Sequence, residues 1–245
     1  MNLVAATEIR TFEDAEALAH DVAEWLCVLA LASDRTFAVC LSGGSTPRRL
    51  YECLAASEIA SRFPWSRVHW FWGDERFVPH SDHDSNYRMA CDAFLSRVPA
   101  PDDNIHAVPT EGLSPDQSAA AYESTLKRFY GAEIIIPNRP LFDVTLLGIG
   151  EDGHTASLFA GHPALQDTRR WAVAVIGAKS EPRITLTYPI LDSSHDAAFL
   201  ATGIGKREVI ARAQAGDRTI PAAVVRPVGR LHWFTDRDAA PQGTN

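Results

Sequence analysis

Short apolar runs alternate along this chain with longer stretches whose apolar residues recur every three or four positions. The runs are rich in β-branched and aromatic residues and predict strands at 37–41, 68–72, 105–108, 142–147, 171–175, 183–188, 197–202 and 231–234. The periodic stretches predict helices at 15–33, at 48–56, from 86, from Ser114 or Asp116 to about 130, and after 206. This alternation is typical of a parallel sheet with helices packed on its faces.

Polar residues at several predicted helix starts have the chemistry of helix caps. Thr11, with Asp14 three positions later, resembles a capping box ahead of the first helix. Thr46 is a favourable N-cap residue, and Pro47 fits the first position of a helix. Ser85 is placed to cap the helix that follows it. The pattern assigns no role to residues 131–140.

Length and charge narrow the classes of protein. A chain of 245 residues is long enough to bury a substantial core as one α/β domain or two small ones, and we expect a single domain over 1–245. The net charge of −8 argues against a general nucleic-acid binder and against a protein attracted to anionic membranes. It does not exclude an anionic substrate, because local basic groups can dominate a pocket.

Cysteine spacing and hydropathy bear on the location. The four cysteines form no C-x-x-C pair and no evident disulfide framework, which favours a reducing compartment. The first ten residues lack a basic region followed by an apolar core, and the longest apolar run, 26–32, is too short to span a bilayer. We therefore expect a cytoplasmic protein without a membrane partner.

The densest cluster of polar chemistry follows the predicted strand at 142–147. Residues 148–154 contain three glycines, which mark a tight turn, together with the acid Asp152 and the imidazole of His154. In open α/β sheets, ligand sites lie just beyond the carboxyl ends of the strands. The turn is therefore the first candidate for a functional site.

The glycine spacing in 148–153 matches a dinucleotide fingerprint, but two observations disfavour a nicotinamide site. Glu151 and Asp152 would place negative charge against a pyrophosphate. The next predicted strand, 171–175, continues into 176–179 without an acid placed for a ribose. Two further alternatives are helix capping by Asp152 and His154, and a metal pair. Helix capping would explain the aspartate but not the imidazole beside it. An Asp-x-His pair with no second matching cluster is weak evidence for a metal site, so a catalytic Asp–His arrangement is favoured.

Other predicted strand ends carry complementary groups. The Gly-rich turn Ser42-Gly43-Gly44-Ser45-Thr46 leaves backbone N–H groups free at a helix start, which suits an anion, although an ordinary βα turn has the same composition. Asp74, Glu75 and Arg76 follow the aromatic strand 68–72. Arg183 and Lys206 supply further cations, so a phosphorylated small molecule is a suitable ligand.

Motifs of three other site classes are weak or missing in the sequence. The segment 80–84, His-Ser-Asp-His-Asp, has potential metal ligands, but a solvated loop explains it more simply. A Walker motif is missing because Leu200 stands where a glycine is required before Gly205-Lys206. No G-x-S-x-G elbow is present, which disfavours a serine-nucleophile hydrolase.

Taken together, the motifs resemble the 6-phosphogluconolactonase family. They are SGGSTP at 42–47, WFWGDERFVP at 70–79, DSNYRM at 84–89, LGIGEDGHTASLF at 147–159, RITLT at 183–187 and TGIGK at 202–206. They follow the family's order and extend over most of the chain. The resemblance implies a Rossmann-like α/β fold, with a mostly parallel sheet and helices on both faces, of the glucosamine-6-phosphate deaminase/6-phosphogluconolactonase superfamily.

The same resemblance implies hydrolysis of 6-phospho-D-glucono-1,5-lactone to 6-phosphogluconate, in the oxidative pentose phosphate pathway. His154 would be the general base and Arg76 the donor to the developing oxyanion, and Asp152 would orient the imidazole. Arg183, Lys206 and the turn Ser42–Thr46 would bind the phosphate. Asp74 and Glu75 are candidates for supporting residues, and the sequence leaves open whether either contacts the substrate or only braces Arg76. The scheme requires no metal and no other cofactor.

Two rivals differ in particular positions. The related deaminase–isomerase uses a glutamate in ring opening where this chain has Phe159. A sugar-phosphate sensor of the transcription-regulator type would need a DNA-binding motif, for which residues before Phe37 leave no room. The family usually has proline where Ala160 stands, a change in loop rigidity that we do not expect to alter the chemistry. A homo-oligomer is compatible with the sequence, which does not define the oligomeric state.

Overall fold

The architecture was obtained from a computed structural model that describes residues 6–242. The strands are β1 (Ala6–Phe12), β2 (Phe37–Leu41), β3 (Val68–Trp72), β4 (Asp74–Arg76), β5 (Phe142–Leu147), β6 (Ala172–Val175), β7 (Arg183–Leu186), β8 (Ser194–Ala201) and β9 (Arg230–Asp236). The α-helices are α1 (Ala15–Ala32), α2 (Ser45–Leu54), α3 (Ser57–Ala60), α4 (Asn86–Ala93), α5 (Pro115–Tyr130), α6 (Tyr188–Leu191) and α7 (Arg207–Gln214).

Six strands form a parallel sheet in the order β1-β9-β8-β5-β2-β3. Every residue of β2 and β5 is buried, as expected for central strands of a sheet covered on both faces. The predicted mostly parallel α/β sheet is therefore confirmed. Since all six strands run the same way, the segments after β2, β3, β5 and β8 leave the sheet at one edge.

A second, antiparallel sheet in the order β4-β7-β6 adjoins that edge. The two sheets are joined at Gly73. Its amide donates to the carbonyl oxygen of Leu41 in β2 at 2.9 Å, and its own carbonyl accepts from the amide of Leu186 in β7 at 2.9 Å. The chain therefore passes directly from β3 into β4. This sheet was not expected from the sequence, because the three residues of β4 are too short to show a period.

Several predicted element ends differ from the structure. Asp14 alone caps α1, accepting from the amide of Ala17 at 2.8 Å, whereas Thr11 belongs to β1. Helix α2 begins at Ser45 behind Gly44, so Thr46 is not its cap. The segment 105–108 makes only an isolated bridge through Ile105. In contrast, the caps at Ser85 and Ser114 are confirmed, the latter with a full capping box.

The far side of the parallel sheet was also predicted incompletely. The strand predicted at 231–234 is β9, but it lies between β8 and β1 and does not close the sheet. Edge strand β1 was not located by its pattern, because its residues are mostly exposed and show no buried alternation. In the segment 131–140, Ile134 is 73% exposed and no strand or helix forms.

Candidate active site

The segments that leave the parallel sheet enclose a cavity of about 210 Å³ with residues of the second sheet. Eight of the predicted site residues line it: Ser42, Gly43, Gly44, Asp74, Arg76, His154, Arg183 and Lys206. Four others do not line it: Ser45, Thr46, Glu75 and Asp152. Asn86, Gly148, Ile149, Gly150 and Ala156 complete the wall and were not singled out individually by the sequence.

A larger groove of about 1180 Å³ runs along α5, away from these strand ends. Three of its charged side chains are paired with each other: the Lys127 ammonium lies 2.8 Å from a Glu123 carboxylate oxygen and 3.2 Å from one of Glu133. It holds none of the predicted site residues. The smaller cavity is therefore the candidate active site.

His154 and Asp152 form a hydrogen-bonded pair on the turn after β5. The Oδ1 atom of Asp152 lies 2.5 Å from the imidazole Nδ1 and accepts from the backbone amide of His154 at 3.1 Å. An ionised carboxylate can only accept hydrogen bonds, so the proton of the neutral ring is on Nδ1. Nε2 then keeps its lone pair, as a general base requires.

Several interactions determine the charge of Asp152. Burial raises the pKa of its carboxyl, but the hydrogen bonds from His154 and the charges of His154 and Lys179 bring the pKa below its ordinary value. Asp152 is therefore ionised at neutral pH. Its place outside the cavity lining suits a group that acts through the imidazole.

The glycines of this turn let the imidazole approach the backbone closely. A Cβ atom on Gly150 would lie 2.1 Å from Nδ1 of His154, so only glycine fits there. Gly153 has a φ of 82°, which also favours glycine. The amide of Gly150 donates to the His154 carbonyl at 2.8 Å. Because the turn continues into no helix, the alternative in which Asp152 and His154 cap one is wrong.

Arg76 and Arg183 stand opposite each other in the register of β4 and β7. Arg76 donates through Nη1 to the carbonyl oxygen of Asp84 at 2.7 Å, which fixes the guanidinium. Within the described part of the chain, the Nε atoms of both arginines are buried and have no hydrogen-bond partner. Burial, followed by repulsion from Arg76, lowers the pKa of Arg183. Two adjacent cations with unused N–H groups favour an anionic ligand or a developing negative charge.

The acids beside Arg76 divide into one that faces the cavity and one that braces the backbone. Glu75 is fully buried, and its carboxylate oxygens accept from the amides of Arg76, Asn86 and Tyr87 at 2.7, 2.7 and 2.8 Å and from the Ser85 hydroxyl at 3.1 Å. Burial raises the pKa of Glu75, and the amide donors limit this shift. Glu75 thus holds α4 against β4 and does not reach the cavity.

Asp74 lines the cavity, and its neighbours fix it there. Its Oδ2 accepts from the Ser157 hydroxyl at 2.6 Å, and the amide nitrogen of Asn86 donates to its backbone carbonyl at 2.9 Å. The Asn86 side chain also fills the space next to Gly43, where a Cβ atom would lie 2.1 Å from the amide oxygen. The three motifs around 43, 74 and 157 therefore meet at one point.

The Gly-rich turn contributes backbone more than hydroxyl groups. Gly44 has a φ of 108° and starts α2 without a side-chain cap, so amides of the first helical turn are left without that partner. Thr46 is directed elsewhere, and its hydroxyl lies 2.8 Å from that of Thr202. Among the residues described, no carboxylate oxygen lies within ion-pair distance of the Lys206 ammonium. This cation is available to a ligand.

Two buried tyrosines hold the strand ends, and no sequence motif marks them. The Tyr51 hydroxyl donates to the carbonyl of Ser42 at 2.8 Å and accepts from its amide at 2.9 Å. Tyr122 does the same for Trp72, at 2.9 and 2.8 Å. Burial raises the pKa of both phenols, which keeps their donating protons. The ends of β2 and β3 are thereby fixed from α2 and α5.

The potential metal ligands of the segment 80–84 lie outside the cavity. Asp82, His83 and Asp84 each place one ligand atom within 4.8 Å of the others, and the His83 side chain is 83% exposed. This loop contributes to the site through the Asp84 carbonyl that holds Arg76. The side chains of Asp82, His83 and Asp84 are therefore described as those of a solvated loop.

Comparison with known proteins identifies relatives over most of the chain. The family model for glucosamine-6-phosphate isomerases/6-phosphogluconolactonase matches residues 13–233. A 6-phosphogluconolactonase of Nostoc sp. is 42% identical over 214 residues, which cover 86% of each chain. The crystal structure of 6-phosphogluconolactonase from Thermotoga maritima has a TM-score of 0.79 and 29% identity, covering 94% of this chain and 100% of its own.

A monomeric glucosamine-6-phosphate deaminase has the same fold, with a TM-score of 0.78 at 17% identity over 95% of this chain and 98% of its own. At that identity the likeness concerns the fold alone. Over residues 6–242, no helix combines the length and the apolar character needed to cross a membrane.

Proposed function

Because the chain belongs to the family of glucosamine-6-phosphate isomerases and 6-phosphogluconolactonases, we propose that it hydrolyses 6-phospho-D-glucono-1,5-lactone to 6-phospho-D-gluconate. One observation carries the proposal. A single cavity is lined by an imidazole oriented by a carboxylate, by two arginines whose Nε–H groups have no partner within residues 6–242, and by a lysine that pairs with no carboxylate of that range. A lactone with a phosphate offers one electrophilic carbonyl and one dianion to these groups.

In the proposed reaction, Nε2 of His154 accepts a proton from water while the water oxygen bonds to the lactone carbonyl carbon. The carbonyl oxygen becomes an oxyanion, and N–H groups of Arg76 donate to it. The bond from this carbon to the ring oxygen then breaks, and the imidazolium returns its proton to the ring oxygen. The product is an open-chain acid, which loses its proton to solvent. A positioned base contributes roughly 10²–10⁴-fold to such a rate.

Asp152 acts through the imidazole in this scheme. Its hydrogen bond at 2.5 Å selects the Nδ1–H tautomer, and its charge stabilises the imidazolium formed when water is deprotonated. Asp74 fixes the opposite wall, where Ser157 and Asn86 hold it. Glu75 supports Arg76 by bonding its backbone amide.

We assign the phosphate to the two cavity cations other than Arg76. Arg183 and Lys206 supply positive charge, and the turn Ser42–Thr46 supplies backbone donors from Gly43 and Gly44, which line the cavity. Ser45 and Thr46 contribute by starting α2. Because both sheets line this one cavity, the proposal treats 1–245 as a single catalytic domain.

The isomerase activity of the same family is the second candidate. It needs an additional acid for ring opening, and the corresponding position holds Phe159, whose ring packs 4.7 Å from that of His154. An aromatic ring transfers no proton at this place, so the lactonase is favoured. A sugar-phosphate lactone is the partner proposed, and a cytoplasmic location and the oligomeric state stay predictions.

We expect purified protein to accelerate disappearance of freshly generated 6-phosphogluconolactone and to leave glucosamine 6-phosphate unchanged. The measurement follows acid release at constant pH, with the spontaneous rate subtracted, while ammonia and fructose 6-phosphate report the isomerase reaction. Ammonia release from glucosamine 6-phosphate would support the second candidate. Acid release at the spontaneous rate would contradict the lactonase assignment.

Replacing Lys206 with alanine is expected to raise KM for the lactone roughly 10- to 100-fold, the worth of one charge-assisted hydrogen bond, and to change kcat less. The reason is that the phosphate is remote from the carbonyl that reacts. Steady-state kinetics of Lys206→Ala measures the split. Arg207→Ala is the matched control, because Arg207 bonds the carbonyl of Asp238 and does not line the cavity. A loss confined to kcat would contradict a phosphate-binding role.

A further inference from the structure

The loop between β6 and β7 brings an ammonium group to the Asp152–His154 pair. Nζ of Lys179 lies 4.0 Å from Oδ2 of Asp152, while Oδ1 of the same carboxylate bonds the imidazole. The ammonium also lies 5.2 Å from the centre of the Phe159 ring, whose other neighbour is the His154 ring. These four side chains therefore form a closed set of contacts. Lys179 itself does not line the cavity.

We propose that Lys179 is a positioning residue, which orients Asp152 toward His154 and by its charge favours the neutral form of the imidazole. The effect of Lys179 on catalysis rests on the proposed function, whereas its effect on the charge of His154 does not. Lys179 belongs to the segment 176–182, which has no other role in the proposed mechanism.

The geometric part of the argument starts from the freedom of an exposed carboxylate. The Asp152 side chain is 54% exposed, and the terminal torsion of aspartate has a broad energy minimum. With Lys179 on Oδ2, the carboxylate keeps Oδ1 on the imidazole. The Phe159 ring, tilted by 37° against the imidazole with 4.7 Å between the ring centres, limits how far the imidazole itself can turn. Without the ammonium, Asp152 would be held only through Oδ1, by the imidazole and the backbone amide of His154, so its carboxylate would stay on the imidazole but be less restrained about its terminal torsion.

The electrostatic part has an unambiguous sign. A positive charge close to the pair disfavours a second positive charge on the imidazole, and it takes up part of the negative charge of Asp152 that would otherwise stabilise one. Both effects favour the neutral ring, which is the form that can accept a proton from water. Removing the ammonium therefore makes the imidazole protonate at higher pH.

Other charged groups of the turn and of the cavity remain in place when only Lys179 changes. They are Asp152, which bonds the imidazole, Glu151 on the same turn, and the cavity-lining residues Asp74 and Arg76 of β4, Arg183 of β7, and Lys206 after β8. A variant at 179 thus isolates the effect of one ammonium against a constant background. Because the Lys179 side chain is 44% exposed, we expect the variant to fold, and circular dichroism checks this.

The first test measures the free protein and needs no substrate. Nitrogen-15 spectra of the histidine rings are recorded against pH for the wild type and for Lys179→Met, with the His154 signal assigned by its absence in His154→Asn. We expect the midpoint of His154 titration to rise by roughly half a unit to one unit in Lys179→Met, as one nearby charge typically produces. Lys179→Arg should retain the wild-type midpoint, and an unchanged midpoint in Lys179→Met overturns the proposal.

The second test follows the pH dependence of kcat/KM for the lactone. In Lys179→Met the acid limb should move to higher pH by the same amount, which lowers activity roughly 3- to 10-fold on the acid side and leaves KM nearly unchanged. Ser180→Ala, in the same loop, is the matched control. A raised KM with an unmoved acid limb would identify Lys179 as a substrate contact and overturn the proposal. A wild type inactive on the lactone would defeat the proposed function, and the ring titration would still decide the role of Lys179.

Discussion

His154→Asn is expected to lower kcat for lactone hydrolysis by about 10²–10⁴-fold, the usual contribution of a positioned general base. Asparagine retains polarity and a similar length but accepts no proton at neutral pH. The effect should fall on kcat more than on KM, because the phosphate contacts remain. The measurement is the stopped-flow rate of acid release with the spontaneous rate subtracted.

The control for His154 is a histidine in a similar setting without access to the cavity. His83 is 83% exposed and lies beside acids, as His154 does, but it belongs to the loop before α4. His83→Asn should keep wild-type activity. Thermal unfolding of both variants separates loss of function from loss of structure, since the His154 side chain is 28% exposed. Wild-type kcat in His154→Asn would contradict the assignment of the base.

Arg76→Ala is expected to lower kcat by roughly 10²–10³-fold, the cost of removing one donor to a developing oxyanion. The buried Nε of Arg76 has no partner among the described residues, although Nη1 holds the carbonyl of Asp84. The guanidinium is therefore both fixed and available. KM should change less, because the carbonyl gains its full negative charge only in the transition state.

Chemical rescue separates the donor role of Arg76 from a structural one. Guanidinium added to Arg76→Ala should restore part of kcat, and potassium at the same ionic strength should not. Arg183→Ala provides the comparison, since its cation is assigned to the phosphate and its loss should raise KM. A change in KM alone for Arg76→Ala, without rescue of kcat, would place Arg76 with the phosphate cations instead.

The sequence was most informative where function depends on local chemistry. The turn at 148–154 was selected from its glycines and its Asp–His pair, and the structure shows the pair hydrogen-bonded beside a cavity. Strands β2, β3 and β5 were predicted at their observed bounds, because buried parallel strands are continuous apolar runs. The resemblance of six separated motifs predicted the family, which the comparisons confirm.

Residues that act through distant partners gave no comparable signal. Glu75 was grouped with Asp74 as a possible support. Only the fold shows that its carboxylate accepts hydrogen bonds from backbone amides at the start of α4. In the sequence, Tyr51 and Tyr122 cannot be told from ordinary core residues. Their hydrogen bonds to the backbone form only because their helices pack against the strand ends. Lys179 lies in an unremarkable loop until Asp152 is placed beside it.

The sequence by itself determined the alternation of strands and helices, the chemistry of each turn and the family, because these follow from residues close together along the chain. Only the tertiary structure decided that Arg76 faces Arg183 across the second sheet, that Asp74 reaches the cavity while Glu75 does not, and that Thr46 turns away from it. The physical reason is that strand register and side-chain direction depend on pairings between residues far apart in the chain, which local patterns leave open.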